Sequence, residues 1–332
     1  MTGSARPTFD TPLTRQVGIE LPIIGGAMYP CSNPELVAAV SEAGGIGVVQ
    51  PISLTYVHRH DYRAGLRFIR TLTSKPIGMN ALIEQSSKTY HERMMQWIDI
   101  SLEEGVRFFV TSLGNPRWVV DRVTSVGGVV YHDVTELKWA LKGRDAGVHG
   151  LIAVNSQAGG HAGPRDPRAL YDELAGLGLP LVCAGGVSEA AGFRAALDAG
   201  YAGVQIGTRF IATTECSAHA DYKTAIVDAD ASDIVLTERL TGVPVAVIRN
   251  EYIDRIGTKA GPIARWMLRG RKTKHWMRTI YALSSLRKLK HSLHTARGRD
   301  DYWQAGRSVA GINEVLPVAE VVRRMIDTPE PQ

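Results

Sequence analysis

Eight short apolar runs, each followed by a stretch with helical spacing, constrain this chain more than any single motif in it. They lie at 22–27, 46–50, 76–82, 108–112, 128–131, 150–154, 179–184 and 203–206. Each is predominantly apolar and partly β-branched, as strands buried on both faces are, and such strands pair in parallel when helices cover the sheet. Between the runs, Glu35-Leu-Val-Ala-Ala-Val40 follows a Ser32-Asn33-Pro34 start, and Tyr90 to Glu104 carries a second helical pattern. Eight βα units in succession predict an α/β chain folded as a (β/α)8 TIM barrel. A length of 332 residues holds a barrel of about 250 together with an insertion.

The carboxyl ends of three of these runs carry unusual chemistry. The sixth leads into Asn155-Ser-Gln-Ala-Gly-Gly-His-Ala-Gly163, which sets His161 directly behind two glycines. Bare backbone lets a flat ligand approach closely, and imidazole is the side chain that titrates nearest neutrality. The plain alternative is a histidine that hydrogen-bonds within its own turn. The seventh run ends in Ala184-Gly-Gly-Val187 and the eighth in Gln205-Ile-Gly-Thr-Arg-Phe210. Between them, Ser188 to Ala199 reads as a helix with a serine cap, an apolar line through Ala191, Ala195 and Leu197, and Gly200 as its stop. In a (β/α)8 barrel the loops after the last two strands, with a short extra helix, form a phosphate site. The N–H groups of Gly185, Gly186, Gly207 and Thr208 are its natural donors. Taken singly, such glycines would be only helix stops and tight turns.

Composition narrows the remaining classes. Charged residues are 21% of the chain, and no apolar run approaches the roughly 20 residues a membrane helix needs, so no integral membrane contact is expected. Residues 1–10 lack the charged and apolar regions of a signal peptide, and Cys31, Cys183 and Cys216 have no metal-ligand spacing. A cytoplasmic protein with no metal is the expectation.

One segment stands apart. Residues 256–299 hold twelve Lys or Arg and no acid, against 26 basic and 33 acidic residues in the rest of the chain. Trp276, Ile280, Leu283, Leu286, Leu289 and Leu293 recur at threes and fours, which predicts an amphipathic helix. The organisation expected is a barrel of residues 1–211 and 301–332 with a mainly helical basic lid, 212–300, inserted after the eighth strand. The charge has three readings: a solvated face over a helix packed on the barrel or on a second copy in a homodimer, a site for the phosphates of coenzyme A or a nicotinamide dinucleotide, or a membrane-surface or nucleic-acid contact. No nucleic-acid module accompanies it, so nucleic acid is not expected as a partner.

The motifs together resemble the nitronate monooxygenase family, formerly called 2-nitropropane dioxygenases. Those that carry the likeness are Pro22-Ile-Ile-Gly-Gly-Ala-Met28, Asn33-Pro-Glu-Leu36, Ala43-Gly-Gly-Ile-Gly47, Gly78-Met-Asn80, Ala158-Gly-Gly-His161, Ala184-Gly-Gly186 and Gln205-Ile-Gly-Thr-Arg-Phe210, in family order. Tyr302-Trp-Gln-Ala-Gly306 and Val309-Ala-Gly-Ile312 resemble the family's last loop before a closing helix, here 317–326. The resemblance implies an FMN-binding barrel and an oxidoreductase. It sets Ala27 and Met28 beside the flavin ring, Asn80 in hydrogen-bonding reach of the ring or ribityl chain, and Gly159 and Gly160 against it. Gly185 and Gly186, with Gln205, Ile206, Gly207 and Thr208, would hold the phosphate, and His161 would be the base.

The departures are specific. Val154 and Gln157 stand where many members have glutamine and glutamate, and Arg307 where glutamine is common. Without a carboxylate at 157, one group that would raise the His161 pKa or order a water is gone. His132, next to Asp133 at the end of the fifth run, is a second catalytic candidate, or else caps the next helix with Asp133. The resemblance implies oxidative denitrification of alkyl nitronates with O2. The same barrel and the same Gly-Gly-His element also occur in FMN enzymes that reduce enoyl thioesters or quinones with a nicotinamide donor, so a CoA thioester, a quinone or a silent flavin-binding role stays open.

Overall fold

The computed structural model describes residues 8–84, 87–240, 242–259 and 302–327. The eight runs form β1 (Ile23–Gly25), β2 (Ile46–Val49), β3 (Ile77–Leu82), β4 (Phe108–Ser112), β5 (Val129–Val134), β6 (Gly150–Val154), β7 (Leu181–Ala184) and β8 (Gly203–Ile206). They pair in parallel in chain order and close between β8 and β1, so the predicted barrel is the fold. One strand outruns its expected end. β5 continues past Tyr131 because β4 and β6 both extend the ladder beside it, pairing Thr111 with His132 and Ala153 with Val134.

Two helix details differ from expectation. The helix after β7 is Ala190–Asp198, its N-cap is Glu189 rather than Ser188, and it buries Phe193 and Ala196 instead of the line through Ala191 and Ala195. Phe193 is the largest apolar side chain in that segment, and the face with most area to bury is the face that docks. The stop is as read, with Gly200 at φ +103°.

Because the barrel staggers by about one residue per strand, its inward side chains fall into tiers of four from alternate strands. The registers place Ile46, Phe108, Gly150 and Gly203 at the floor, then Ile24, Gly78, Tyr131 and Val182, then Val48, Val110, Ile152 and Gln205. Gly26, Asn80, Asp133 and Ala184 form the uppermost tier, at the carboxyl ends of the strands. The lower tiers make one apolar cluster with Leu13 of a short helix, α1 (Pro12–Val17), that closes the floor. Small residues there are demanded by their neighbours: a Cβ on Gly150 would strike the Tyr131 ring, and one on Gly203 would meet Leu13 and the Pro22 carbonyl.

After β8 the chain makes a short helix, Thr208–Ile211, then a helix Ala220–Asp228, two antiparallel strands, Ile234–Thr237 and Val245–Ile248, and a helix Glu251–Ile256. The described part of the insertion is therefore helix and strand mixed. Residues 260–299, most of the basic amphipathic segment, lie outside the described residues. The chain is described again from Tyr302, and the helix Val318–Ile326 closes it against the helices Pro34–Glu42 and Ala190–Asp198.

Candidate active site

The loop after β6 is built around Asn155, a fully buried amide whose role the local sequence does not show. Its Nδ2 donates to the Gly185 carbonyl at 3.0 Å, and its Oδ1 accepts from the Gln157 N–H at 2.8 Å. One side chain thus clamps the Gly-Gly-His loop to the Gly-Gly turn after β7. The available signal was an Asn directly after an apolar strand, where its short amide holds turns.

The glycines of this loop have separate reasons. Gly160 takes φ +67°, a left-handed conformation costly for other residues, and its carbonyl accepts from Ala246 N–H at 2.7 Å. Gly159 packs against the returning chain, where a Cβ would come within 2.9 Å of Gly306 N and 3.0 Å of the Ala305 carbonyl carbon. Gly306 N–H in turn donates to Thr208 Oγ1 at 2.9 Å, and Arg307 N–H donates to the Gln157 carbonyl at 2.9 Å. The loops after β6 and β8 and the Tyr302–Gly306 segment are therefore knitted into one surface, with Tyr222 stacked on Trp303 behind it.

The turn after β7 holds Gly185 at φ +117° and Gly186 at +84°. A Cβ at Gly185 would lie 2.5 Å from both Ala158 N and Asn155 Oδ1, and one at Gly186 would strike Gln157 Oε1. After β8, Ile206 turns its side chain out to the helices and gives the site only backbone, its carbonyl accepting from Gly26 N–H at 2.9 Å. Gly207 faces Met28, whose Sδ would be 3.4 Å from a Cβ there. Met28 N–H is fixed by Ser32 Oγ at 2.8 Å, and Ala27 packs on the barrel interior. Ala27, Met28, Gly159, Gly160, Gly185, Gly186 and the Gln205–Thr208 turn thus share the carboxyl end of the barrel.

Three polar side chains of the upper tiers face the space over them. Asn80 is buried and donates only a long 3.5 Å contact to the Val110 carbonyl. Gln205 Oε1 and Asp133 Oδ1 are buried with no hydrogen-bond partner. Burial alone pushes the Asp133 carboxyl up to about 7. An unpaired buried polar atom costs about 1–3 kcal/mol, so two of them at one end of a barrel ask for a ligand. A flavin fits this end: polar atoms for its ring edge, close backbone for its face, and N–H groups of glycine turns for a phosphate.

His161 is open to solvent on one side, yet enough protein surrounds it that desolvation lowers its pKa, leaving the imidazole neutral near pH 7. His132 goes elsewhere. It alternates with Tyr131 and Asp133 along β5 and so faces the helices, with Nδ1 2.9 Å from Thr111 Oγ1 and Cδ2 against Gly143 of the helix Leu137–Asp145. Burial lowers its pKa to about 4. It neither reaches the barrel mouth nor caps the next helix, whose N-cap is Glu136, and the residue that does face the mouth is its neighbour Asp133. Two surface depressions, of about 410 and 450 Å³, lie at the opposite end, beside the starts of β7 and β8 and of β3, β4 and β5. They hold none of these groups.

A closed parallel barrel with loops, glycine turns and a neutral imidazole gathered at the carboxyl ends of its strands is the arrangement of a (β/α)8-barrel enzyme. The chain belongs to the nitronate monooxygenase family, whose model matches residues 10–328. It is 30% identical to a nitronate monooxygenase of Pseudomonas aeruginosa, over 95% of this chain and 97% of that one. It is 28% identical to a (3aS,4S,5R,7aS)-5-hydroxy-7a-methyl-1-oxo-octahydro-1H-indene-4-carboxyl-CoA dehydrogenase of Mycobacterium tuberculosis, over 88% of this chain and 81% of that one. Among solved structures, FabK from Thermotoga maritima superposes with a TM-score of 0.79 at 26% identity, covering 96% of each chain. Flavin use is typical of the family. Among the described residues no helix is long and apolar enough to cross a membrane.

Proposed function

We propose that the protein is an FMN-dependent nitronate monooxygenase, converting alkyl nitronates and O2 to a carbonyl compound and nitrite. The observation that carries this reading is the joining, by Asn155, of the Gly-Gly-His loop to the Gly185-Gly186 turn, which sets the loop that carries His161 and a glycine turn with positive φ side by side. The backbone N–H groups of Gly185, Gly186, Gly207 and Thr208 receive the phosphate. Gly160, Ala27 and Met28 admit the ring, while Asn80 and Gln205 address its polar edge. When bound, FMN supplies the electron acceptor. A ring nitrogen of His161 takes the α-proton of a neutral nitroalkane, or donates to the nitronate once it is the imidazolium. The lowered pKa keeps the imidazole in its neutral, basic form near pH 7.

A second reading, reduction or dehydrogenation of a CoA thioester on the same barrel, is favoured by the name of the Mycobacterium relative and by Gln157, a neutral amide where many family members carry a carboxylate. Aerobic assays separate the two. Oxygen uptake and nitrite release with propane-2-nitronate support the first reading, and nicotinamide oxidation with an enoyl-CoA and no nitrite from nitronate overturns it in favour of the second.

A further inference from the structure

The uppermost tier of the barrel contains one ionisable side chain, Asp133, set among Gly26, Asn80 and Ala184. Its register with Ile152, and its alternation with the interior residue Tyr131, turn it inward and up toward the space that the site loops surround. Its Oδ1 is buried and has no partner, as is Gln205 Oε1 one tier below. The positions around it are non-titratable throughout: Gly26, Asn80 and Ala184 beside it, Val48, Val110, Ile152 and Gln205 beneath, and Gln50, Ser112, Val154 and Gly207 at the strand ends that rim the mouth. Its titratable neighbour in sequence, His132, faces the other side of the strand. His161 stands on the loop that begins beyond Val154.

A carboxylate here would be a half-buried anion whose Oδ1 is sealed from water with no cation and no N–H donor, which disfavours the charged form. The neutral acid avoids that cost and brings an O–H that needs an acceptor. We propose that Asp133 is a neutral, hydrogen-bond-donating carboxyl of the active site, its O–H directed at an sp² oxygen, carbonyl or nitro, on the molecule lying over the upper tier. Desolvation without any opposing charge agrees with it, since burial is the sole cause that lifts this carboxyl to about 7. The inference rests on the mouth being the flavin and substrate site. It assigns a positioning residue that the Gly-Gly-His resemblance does not include.

The test begins without cofactor, so that its failure is separate from that of the proposed activity. In an infrared pH titration of flavin-free protein, wild type is expected to show the C=O stretch of a protonated carboxyl disappearing with a midpoint near 7, and Asp133→Asn is expected to lack that band. A midpoint in the ordinary carboxylate range, about 4, overturns the proposal. FMN is then added, followed by 2-nitropropane. A band shift on adding FMN identifies a flavin carbonyl as the acceptor, and a shift only with 2-nitropropane identifies the nitro group. No shift with either overturns the assignment. Asp133→Asn keeps the shape and an N–H donor, whereas Asp133→Ala keeps neither. The asparagine variant is expected to stay within a few-fold of wild type in FMN affinity or KM, whichever the band shift indicates. The alanine variant should lose about 10-fold, the worth of one hydrogen bond. Equal losses in both variants mean that ordinary packing explains the residue, and also overturn the assignment.

Discussion

The two ends of the barrel are made of the same strands and differ in what their side chains leave unfinished. At the floor, Ile46, Phe108 and Tyr131 fill the interior, Leu13 of α1 closes it, and the one polar tip, Tyr131 Oη, donates to Gln16 Oε1 at 3.0 Å. At the mouth, Asn80, Asp133 and Gln205 point into the interior, and two of the three keep a buried atom without a partner. Glycine follows the same division. At the floor Gly150 and Gly203 make room for Tyr131 and Leu13, whereas at the mouth Gly160, Gly185 and Gly186 hold positive φ in loops. One end is satisfied by its own chain and therefore serves stability. The other leaves buried polar atoms without partners, which is where the proposed function places its ligand.

The sharpest way to break that division is His161→Ala, the largest effect expected. Flavin should stay bound, because no cradle residue changes, while turnover of neutral nitroalkane falls by about 10²- to 10⁴-fold, the usual worth of a general base. Pre-formed nitronate should lose far less. Since desolvation lowers the imidazole pKa, turnover that depends on His161 as the base should hold at neutral pH and fall only as pH drops below that lowered value. Steady-state rates on both forms of the substrate across pH check this. Equal losses on nitroalkane and nitronate would remove His161 from proton transfer.

Phe108→Ala tests the opposite end. This ring is almost fully buried at the floor and meets Tyr131 edge-on at 5.5 Å, so its removal should cost about 3–5 kcal/mol of stability. Thermal or denaturant unfolding measures that loss. The folded fraction should bind FMN as wild type does, and a matching fall in FMN affinity would show that floor and mouth are coupled.

Gly186→Asp returns to the mouth. An added carboxylate about 5 Å from a phosphate costs about 3 kcal/mol per unit charge at an effective dielectric near 20, so FMN affinity should drop by 10²-fold or so. The positive φ adds strain of its own. Gly186→Ala separates the two causes, as it carries the strain without the charge. Flavin titration that finds the two variants equally weak would leave backbone shape, and not phosphate charge, as the reason for the glycine.

The same division accounts for what could be read from the chain. The strands were legible because burial on both faces writes a mainly apolar run, and the glycine turns because positive φ leaves few alternatives to glycine. Tertiary choices were less legible. Whether His132 or Asp133 faced the mouth depended on where β5 ended and thus on pairing with β4 and β6, which local spacing does not record. Phe193 decided which side of its helix docked, although the alanines around it suggested another line. Asn155 opens the Gly-Gly-His loop, yet its partner Gly185 lies 30 residues away and becomes visible only when β6 and β7 are adjacent. Site residues that act through long-range partners are hidden in sequence for that reason.

Tyr131→Phe has the smallest effect and asks the most of the comparison. It removes only the hydroxyl, leaving the ring packed over Gly150 and Phe108, and frees Gln16 Oε1, which belongs to the exposed side of α1. Because Gln16 can turn to water, the expected cost is one ordinary hydrogen bond, about 0.5–1.5 kcal/mol, with none of the penalty of a stranded buried acceptor. Denaturant midpoints compared with Gln16→Ala, and with the double variant, isolate the pair. If the single losses add in the double variant, the bond contributes nothing and α1 is held by its other contacts, Leu13 and Val17 in the floor cluster among them. If they do not add, the hydroxyl is a true floor contact. In either case nitroalkane turnover and FMN affinity should be unmoved, because Asp133, two residues along the same strand, stands in the uppermost tier and Tyr131 stands below it.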